Sequence, residues 1–412
     1  MISPIMTIDK DTWLWIAENK TADADKLRLS FYGDADKQFA ITQIDCRNRT
    51  RRKLVETLSL APEFIFPSTL AAQQSTSDAL ASFHATLIGA GDRVIDMTGG
   101  LGIDAAHVAR KAAHVDYYEM NLLTAECAAH NFQLLGADNI TVHCADSVEA
   151  LHQMTKDSAD VIFIDPARRG TDGRRLFALR DCVPDVTEML DLMLDRGARV
   201  IIKASPMLDV SAVLCELHSV SRIMALGTTG ECKELLIVCE RGSEGEPLHE
   251  CHTLDADTGD EISGFDYCKS DEDSKEPTYA TPHTGDIIYE PYPATSKIGV
   301  RNLLCQIPGV SRLATNTDFY CSATMADSFP GAAYEIVDDC ILSKKALKEL
   351  AAKYPAIDVT VKNFPMTAAE LAKRMRCRPS GQLRLIACTD SEGKKQLFVC
   401  RPVRYDLKPV RQ

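Results

Sequence analysis

Between Asp92 and Glu240, short runs rich in β-branched residues alternate with helix-length segments. The runs are Arg93-Val-Ile-Asp-Met97, Val115-Asp-Tyr-Tyr-Glu119, Ile140-Thr-Val-His-Cys144, Val161-Ile-Phe-Ile-Asp165 and Val200-Ile-Ile-Lys203. Strands that are apolar at consecutive positions are buried on both faces, which happens when helices cover both sides of a parallel sheet. The alternation therefore predicts an α/β chain built on a doubly wound parallel sheet. Cys232-Lys-Glu-Leu-Leu-Ile-Val-Cys-Glu240 reads as one more strand, and the lack of a helix after it suits an antiparallel edge hairpin.

The polar residues at the ends of these strands carry the chemistry. Asp96-Met-Thr-Gly-Gly-Leu-Gly102 follows the first strand and opens an Ala-rich helix. Glycines in that place let a nucleotide-like ligand approach the backbone. Gly100-Leu-Gly102-Ile-Asp-Ala105 also satisfies the dinucleotide fingerprint, so the loop alone leaves an NAD-binding enzyme open. Asp96 ends the first strand, where it can meet an amino group, and dinucleotide folds do not require that carboxylate. Glu119 ends the second strand and suits the ribose hydroxyls of a nucleotide-like ligand. Asp146 follows the third strand, in reach of an exocyclic amine, and Asp165-Pro-Ala-Arg168 ends the fourth. Ligands of open α/β sheets bind outside the carboxyl ends of the strands, and all of these groups fall there in order. The plainer alternatives are a helix N-cap for Asp146 and a turn for Asp165-Pro166.

A chain of 412 residues exceeds one hydrophobic core. Helical periodicity dominates from Asp9 to about Leu70, including Thr50 to Leu58, so residues 1–72 are expected to form a helical domain. Pro62 and Pro67 bracket an extended segment, and Ser75-Thr-Ser-Asp78 offers N-cap chemistry for a helix through Ala85. Residues 73–242 hold the sheet. Residues 243–335 are expected to be an acidic linker followed by a small ferredoxin-like segment. Residues 336–412 form a compact α/β module with helices at Ser343–Lys353 and Thr367–Met375 and strands at Ile357–Asn363, Leu383–Ala387 and Gln396–Arg401. Net charge is −13, but from Ile341 onward 16 Lys and Arg face 6 Asp and Glu, a balance of about +10 on a body of about −23. A basic module on an acidic body points to a phosphate-bearing partner, weighed against a merely solvated basic surface.

Nothing approaches 18 consecutive apolar residues, so no membrane partner is expected. The 15 cysteines are scattered singly with no C-x-x-C pair, and there is no H-E-x-x-H, so no metal is expected and the cysteines read as reduced, in the cytoplasm. His107 and His114 flank the first crossover helix and read as packing or surface residues.

Gln74-Ser-Thr-Ser-Asp78, Asp96 to Asp104, Glu119, Ile164-Asp-Pro-Ala-Arg-Arg-Gly170, Glu231-Cys-Lys-Glu-Leu-Leu236, Tyr289-Glu-Pro291 and Val361-Lys-Asn-Phe-Pro365 together carry a family likeness. The sequence resembles the class I S-adenosylmethionine-dependent methyltransferases, with their Rossmann-like sheet, and among them a bacterial subgroup with a C-terminal THUMP-like domain. The resemblance implies that Asp96, Thr98, Gly100 and Gly102 hold the methionine end of S-adenosylmethionine, Glu119 the ribose and Asp146 the adenine. Gln74 and Ser75 would close the pocket, and Asp165, which also faces the cofactor, would serve catalysis with Pro166 and Arg168. It implies structured RNA, tRNA or rRNA, as the partner of the C-terminal domain.

Asp-Pro-Ala-Arg is similar to the motif of RNA 5-methyluridine methyltransferases, but the cysteine nucleophile those enzymes use past the fifth strand is missing from Lys203-Ala-Ser-Pro206. Lys203 reads as structural, and Arg168 and Arg169 as phosphate contacts or a solvated turn. Two further readings are a catalytically silent RNA-binding protein that keeps the cofactor fold and a methyltransferase acting on a non-RNA substrate.

Overall fold

A computed structural model describes residues 8–168 and 178–403. The chain forms two compact units. The first runs to Ser221 and adds Leu235–Gly245 and Asp255–Asp260; the second contains Arg222–Glu234, Glu246–Leu254 and the chain from Glu261 onward.

The first unit begins with six helices: α1 (Lys10–Glu18), α2 (Ala24–Ser30), α3 (Ala35–Thr50), α4 (Val55–Leu60), α5 (Thr69–Gln74) and α6 (Asp78–Thr86). Asp9, Asp23, Asp34, Ser68 and Ser77 accept backbone N–H groups in the first turns of α1, α2, α3, α5 and α6. Each cap satisfies donors that a helix start leaves orphaned. The helix expected over Thr50–Leu58 is split. The Thr50 hydroxyl donates back to Cys46 O at 2.8 Å as α3 ends, and α4 starts afresh where Glu56 N and Thr57 N donate to Asp78 Oδ2 at 2.8 and 3.1 Å. That cap comes from a residue distant in sequence, so local periodicity does not reveal it.

The extended segment between Pro62 and Pro67 has its backbone paired by two buried amides. Gln43 exchanges two hydrogen bonds with Phe66 (3.0 and 2.9 Å) and Asn131 exchanges two with Ile65 (2.9 and 2.8 Å). Both side chains act as a neighbouring strand would, which is how buried backbone without a ladder stays satisfied. Phe64, Phe66, Cys46, Leu54 and Ala72 then pack with Leu101 and Ile103 of the glycine turn, so the N-terminal helices share a core with the sheet.

The sheet of this unit is built from β1 (Arg93–Asp96), β2 (His114–Tyr118), β3 (Ile140–His143), β4 (Ala159–Ile164), β7 (Gly197–Ala204) and β9 (Cys232–Glu240). Between them run α7 (Ile103–Ala109), α8 (Leu122–Leu134), α9 (Ser147–Gln153), the two-residue strands β5 (Ala167–Arg168) and β6 (Cys182–Val183), α10 (Val186–Arg196), α11 (Val210–Glu216) and β8 (Val220–Thr228). The strand order is β3-β2-β1-β4-β7-β9, parallel except that β9 is antiparallel to β7. The order reverses beside β1, where strands to either side leave a crevice at their carboxyl ends.

In the second unit β8 pairs in parallel with β10 (Leu248–Leu254), which pairs antiparallel with β11 (Glu261–Cys268). The stretch expected to be an acidic linker therefore holds two strands and α12 (Lys269–Ser274). Its charged residues are paired across strands: buried Glu250 takes two bonds from half-buried Arg222 at 2.6 and 2.9 Å, and His252 lies 2.6 Å from exposed Glu261. Buried polar residues of this kind erase the alternation that marks a strand in sequence.

The remaining strands are β12 (Ile287–Pro291), β13 (Ser311–Ala314), β14 (Thr317–Ser322), β15 (Gly331–Ile341), β16 (Asp358–Lys362), β17 (Arg384–Thr389) and β18 (Lys395–Val403). With them come α13 (Pro293–Ile298), α14 (Lys344–Lys353) and α15 (Ala368–Met375). They form one seven-stranded sheet in the order β13-β14-β12-β15-β18-β17-β16. Leu350 of α14 and Leu371 and Met375 of α15 cover Leu385, Leu397 and Val399 on one face; Ile386 and Phe398 point into a second core with Ile288, Phe319 and Tyr334. The expected C-terminal helices and strands all occur within a few residues of their predicted bounds.

Candidate active site

The carboxyl ends of β1 to β4 open onto a cavity of about 1430 Å³. Gln74, Ser75, Asp96, Thr98, Gly100, Gly102, Glu119, Asp146, Asp165 and Pro166 all line it. The backbone of Arg168 belongs to β5, while its side chain, like all of Arg169, lies outside the described residues.

Asp96 is 4 % exposed, and its Oδ1 accepts the Thr98 N–H at 3.1 Å. Burial pushes its carboxyl up to about 7; the Thr98 bond pulls it down, the charges of Asp104 and Asp165 push it further up, and Lys203 opposes them. The chain then turns through Gly100 (φ 55°) and Gly102 (φ 81°), both in the left-handed region that favours glycine. A Cβ on Gly102 would meet Phe132 at 2.6 Å and one on Gly99 would meet Tyr117 at 2.0 Å, whereas one on Gly100 would meet only Thr98 O, at 3.8 Å.

Glu119 is tied to this turn. Its Oε2 accepts from Gly100 N at 3.1 Å and its Oε1 from Asn121 N at 2.7 Å, while the Tyr117 hydroxyl donates to Gly100 O at 2.5 Å. Asp146 fulfils its plainer expectation, because Oδ1 accepts from Val148 N (2.8 Å) and Glu149 N (3.4 Å) as the N-cap of α9. It does so at the cavity wall.

Beneath Asp165 lies a polar cluster. Lys203 Nζ sits 2.7 Å from Asp165 Oδ2, 2.9 Å from Thr76 Oγ1 and 3.8 Å from Asp104 Oδ2. Asp104 also accepts the Thr76 hydroxyl at 2.5 Å and lies 2.7 Å from His84 Nδ1. The Asp165 N–H donates to Thr98 Oγ1 at 2.7 Å. Thr76 and Asp104 fall inside motifs quoted from the sequence but had no role assigned there, and His84 did not stand out. The available signal was a charge set among apolar neighbours, in Ile103-Asp-Ala-Ala106 and in Val200-Ile-Ile-Lys203.

Val183, Pro184, Asp185, Glu188, Met189 and Leu192 also line the cavity. No cysteine stands among the described residues that line the cavity, in keeping with the missing nucleophile at Lys203-Ala-Ser-Pro206. Among the described residues no group of three or more His, Cys, Asp or Glu is placed to hold a metal, and no helix is long and apolar enough to cross a membrane.

The open sheet, its strand order and the acid-ringed cavity define a class I methyltransferase fold. Residues 67–175 match the family model described as conserved hypothetical protein 95, and residues 331–402 match the THUMP domain-like model. A solved structure from Porphyromonas gingivalis W83, provisionally described as a methyltransferase, is 27% identical, with a TM-score of 0.85 over 96% of this chain and 98% of that one. An rRNA methylase from Streptococcus thermophilus (16% identity, TM-score 0.29, 39% of this chain and 94% of that one) is also similar. So is the tRNA m1G37 methyltransferase of M. jannaschii (12%, 0.29, 41% and 52%), but at those scores neither carries weight. No curated protein matches the sequence. The chain thus combines a class I methyltransferase fold with a C-terminal THUMP-like domain.

Proposed function

We propose that this protein is a cytoplasmic enzyme that methylates a base of a structured RNA, tRNA or rRNA, with S-adenosylmethionine as donor. The observation that carries the reading is the ring of Asp96, Glu119, Asp146 and Asp165 at successive strand ends around one cavity, joined to a glycine turn whose Gly100 lines the same cavity.

The donor set fits S-adenosylmethionine. Asp96 is a buried carboxyl whose ionisation is penalised until a cation arrives, so the ammonium of the methionine end suits it. Glu119, oriented by Gly100 and Asn121, accepts from ribose hydroxyls. Asp146, fixed as a cap, takes the adenine amine. Gln74 and Ser75 border the methionine end from α5, alongside Thr98. Bound there, the cofactor would supply a methyl group already activated on a sulfonium. The chain's own task is then to hold an acceptor lone pair in line, which is worth much of the barrier by itself. Asp165 and Pro166, which line the cavity, would face that acceptor.

The labour is divided between the first unit, which carries the cofactor sheet, and the second, whose sheet includes the basic, RNA-binding C-terminal module. Support for RNA comes from the charge balance and from exposed Lys373, Arg374, Arg376 and Arg378, none within 4 Å of a described carboxylate. The test is transfer of tritiated methyl from S-adenosylmethionine to RNA from cells lacking this gene. Label released by ribonuclease, and absent with Asp165→Ala, supports the reading. Label in protein instead would make it a methyltransferase of another substrate, and no label in any fraction would leave a silent RNA-binding protein.

A further inference from the structure

Between Asp45 and Glu56 the chain carries five cations and no acid: Arg47, Arg49, Arg51, Arg52 and Lys53. They close α3 and form the turn that leads into α4. A helix C-terminus favours cations in its last turn, which accounts for Arg47 and Arg49, and both are engaged. Arg49 Nε pairs with Asp45 at 2.7 Å. Half-buried Arg47 donates to Phe64 O at 2.7 Å, with its guanidinium 5.2 Å from the centre of the Trp13 ring. Arg51, the C-cap, and Arg52, one residue beyond it, are exposed, and neither makes a hydrogen bond or ion pair with a described residue. Two adjacent uncompensated cations repel each other and add no contact to the fold, which points to a use outside it.

The turn is strapped to the rim of the cavity. Lys53 O accepts from Asp78 N at 2.8 Å, and Lys53 Nζ donates to Gln73 O and Ser75 O, each at 2.9 Å. Gln74, Ser75 and Thr76, in the segment so held, line the cavity, as do Leu70 and Ala71 of α5. Consecutive Cα atoms are about 3.8 Å apart, so Arg51 and Arg52 stand within two residues of a side chain bonded to the cavity wall. All of these residues belong to the first unit. Among the described residues, seven Asp and Glu line the cavity against one Lys and no Arg. A polyanion brought to such a cavity needs cations at its rim.

We propose that Arg51 and Arg52 form a phosphate-binding site at the rim of the cavity, which grips the RNA backbone beside the nucleotide to be methylated and gives the N-terminal helices a part in substrate binding. The proposal rests on the RNA reading. A guanidinium pairs with two phosphate oxygens at once, and such contacts fix register without reading sequence.

The test uses the full chain, with small RNA from cells lacking this gene as probe, in filter binding over a salt series and in methyl transfer. Arg51→Gln with Arg52→Gln should raise the KM for RNA at least about fivefold with kcat within about twofold, and lower the salt slope by about 1.4 to 1.8, the value for two phosphate contacts. S-adenosylhomocysteine affinity should stay within about twofold, which also reports that the variant folds, because a phosphate contact positions only the RNA. Arg51→Lys with Arg52→Lys should recover the slope, since an ammonium still neutralises phosphate. Lys20→Gln with Lys26→Gln removes the same charge from two other exposed positions and should leave KM and slope alone. With no substitution at all, bound RNA should slow phenylglyoxal modification of Arg51 and Arg52 at least about threefold. A slope and KM equal to wild type in the Gln variant, an equal effect of the Lys20 and Lys26 pair, or no protection of either arginine overturns the proposal and leaves the RNA reading standing. A wild type that binds S-adenosylhomocysteine but neither binds nor methylates RNA sinks the RNA reading, and this proposal with it.

Discussion

The Gly100 N–H donates to Glu119 Oε2 at 3.1 Å, so the glycine turn after β1 and the acid that ends β2 form one piece of structure. Loss of that bond loosens a backbone that stays left-handed at two successive glycine positions, Gly100 and Gly102. Glu119→Ala should therefore cost more than its ribose contact. Calorimetry should show S-adenosylhomocysteine affinity falling at least about tenfold, which corresponds to about 1.4 kcal/mol. An unchanged affinity would remove Glu119 from the cofactor site.

Asp96 sets a pH dependence. Its folded value of about 7 lies above the ordinary 3.8, so between these values the folded state holds a proton that the unfolded chain does not. The ligand-free protein should lose stability as pH rises from about 4 to about 7 and level off above. A cationic methionine end needs the ionised form, so S-adenosylhomocysteine affinity should rise with pH up to about 7, by at most about tenfold per unit, with proton release on binding. Asp96→Asn should flatten both trends. Affinity that falls over this range would contradict the assignment.

Gly102→Ala must displace Phe132 and hold a side chain at φ 81°, and Gly99→Ala must displace Tyr117, whose hydroxyl holds Gly100 O. Each should lower stability by about 1–3 kcal/mol in urea unfolding and weaken cofactor binding. Gly136→Ala, also at positive φ (67°) but with open space around it, should lower stability without affecting cofactor binding.

The basic residues on and after α15 are expected to carry phosphate contacts. Replacing Lys373, Arg374, Arg376 and Arg378 together by Gln should weaken binding of the methylated RNA and flatten its salt dependence, each lost phosphate contact removing close to one from the slope. S-adenosylhomocysteine affinity should be unchanged. Equal RNA affinity and slope in the variant would place the RNA elsewhere.

The strands of the first unit were legible because parallel strands are apolar throughout. Val94 lies between Val115 and Val161 in register, and all three are buried. Asp96, Glu119, Asp146 and Asp165 were legible for the complementary reason: a charge that ends an apolar run has little to do but face a ligand or cap a helix. Asp146 caps α9 and also lines the cavity.

Contacts that join distant parts of the chain were not legible. Thr76 and Lys203 are 127 residues apart, and Asp78 caps α4 from 22 residues away. The tail motifs show the same limit. Tyr289-Glu-Pro291 and Val361-Lys-Asn-Phe-Pro365 attract notice separately, yet Glu290 pairs with Lys362 at 3.2 Å and with Arg384 at 3.0 Å, so both belong to one brace across the second sheet. Around Glu250 and His252 the sequence admits small strands but does not place them, because charges that are paired with neighbouring strands break the alternation.

The central claim is that the acid-ringed cavity binds S-adenosylmethionine, and calorimetric titration of S-adenosylmethionine and S-adenosylhomocysteine into wild type and Asp96→Ala tests it, with NADH as control. The account predicts binding of both at roughly micromolar Kd, about −8 kcal/mol, lost in Asp96→Ala, and none for NADH. No binding of either adenosyl compound to a folded wild type, or binding of NADH instead, would contradict it.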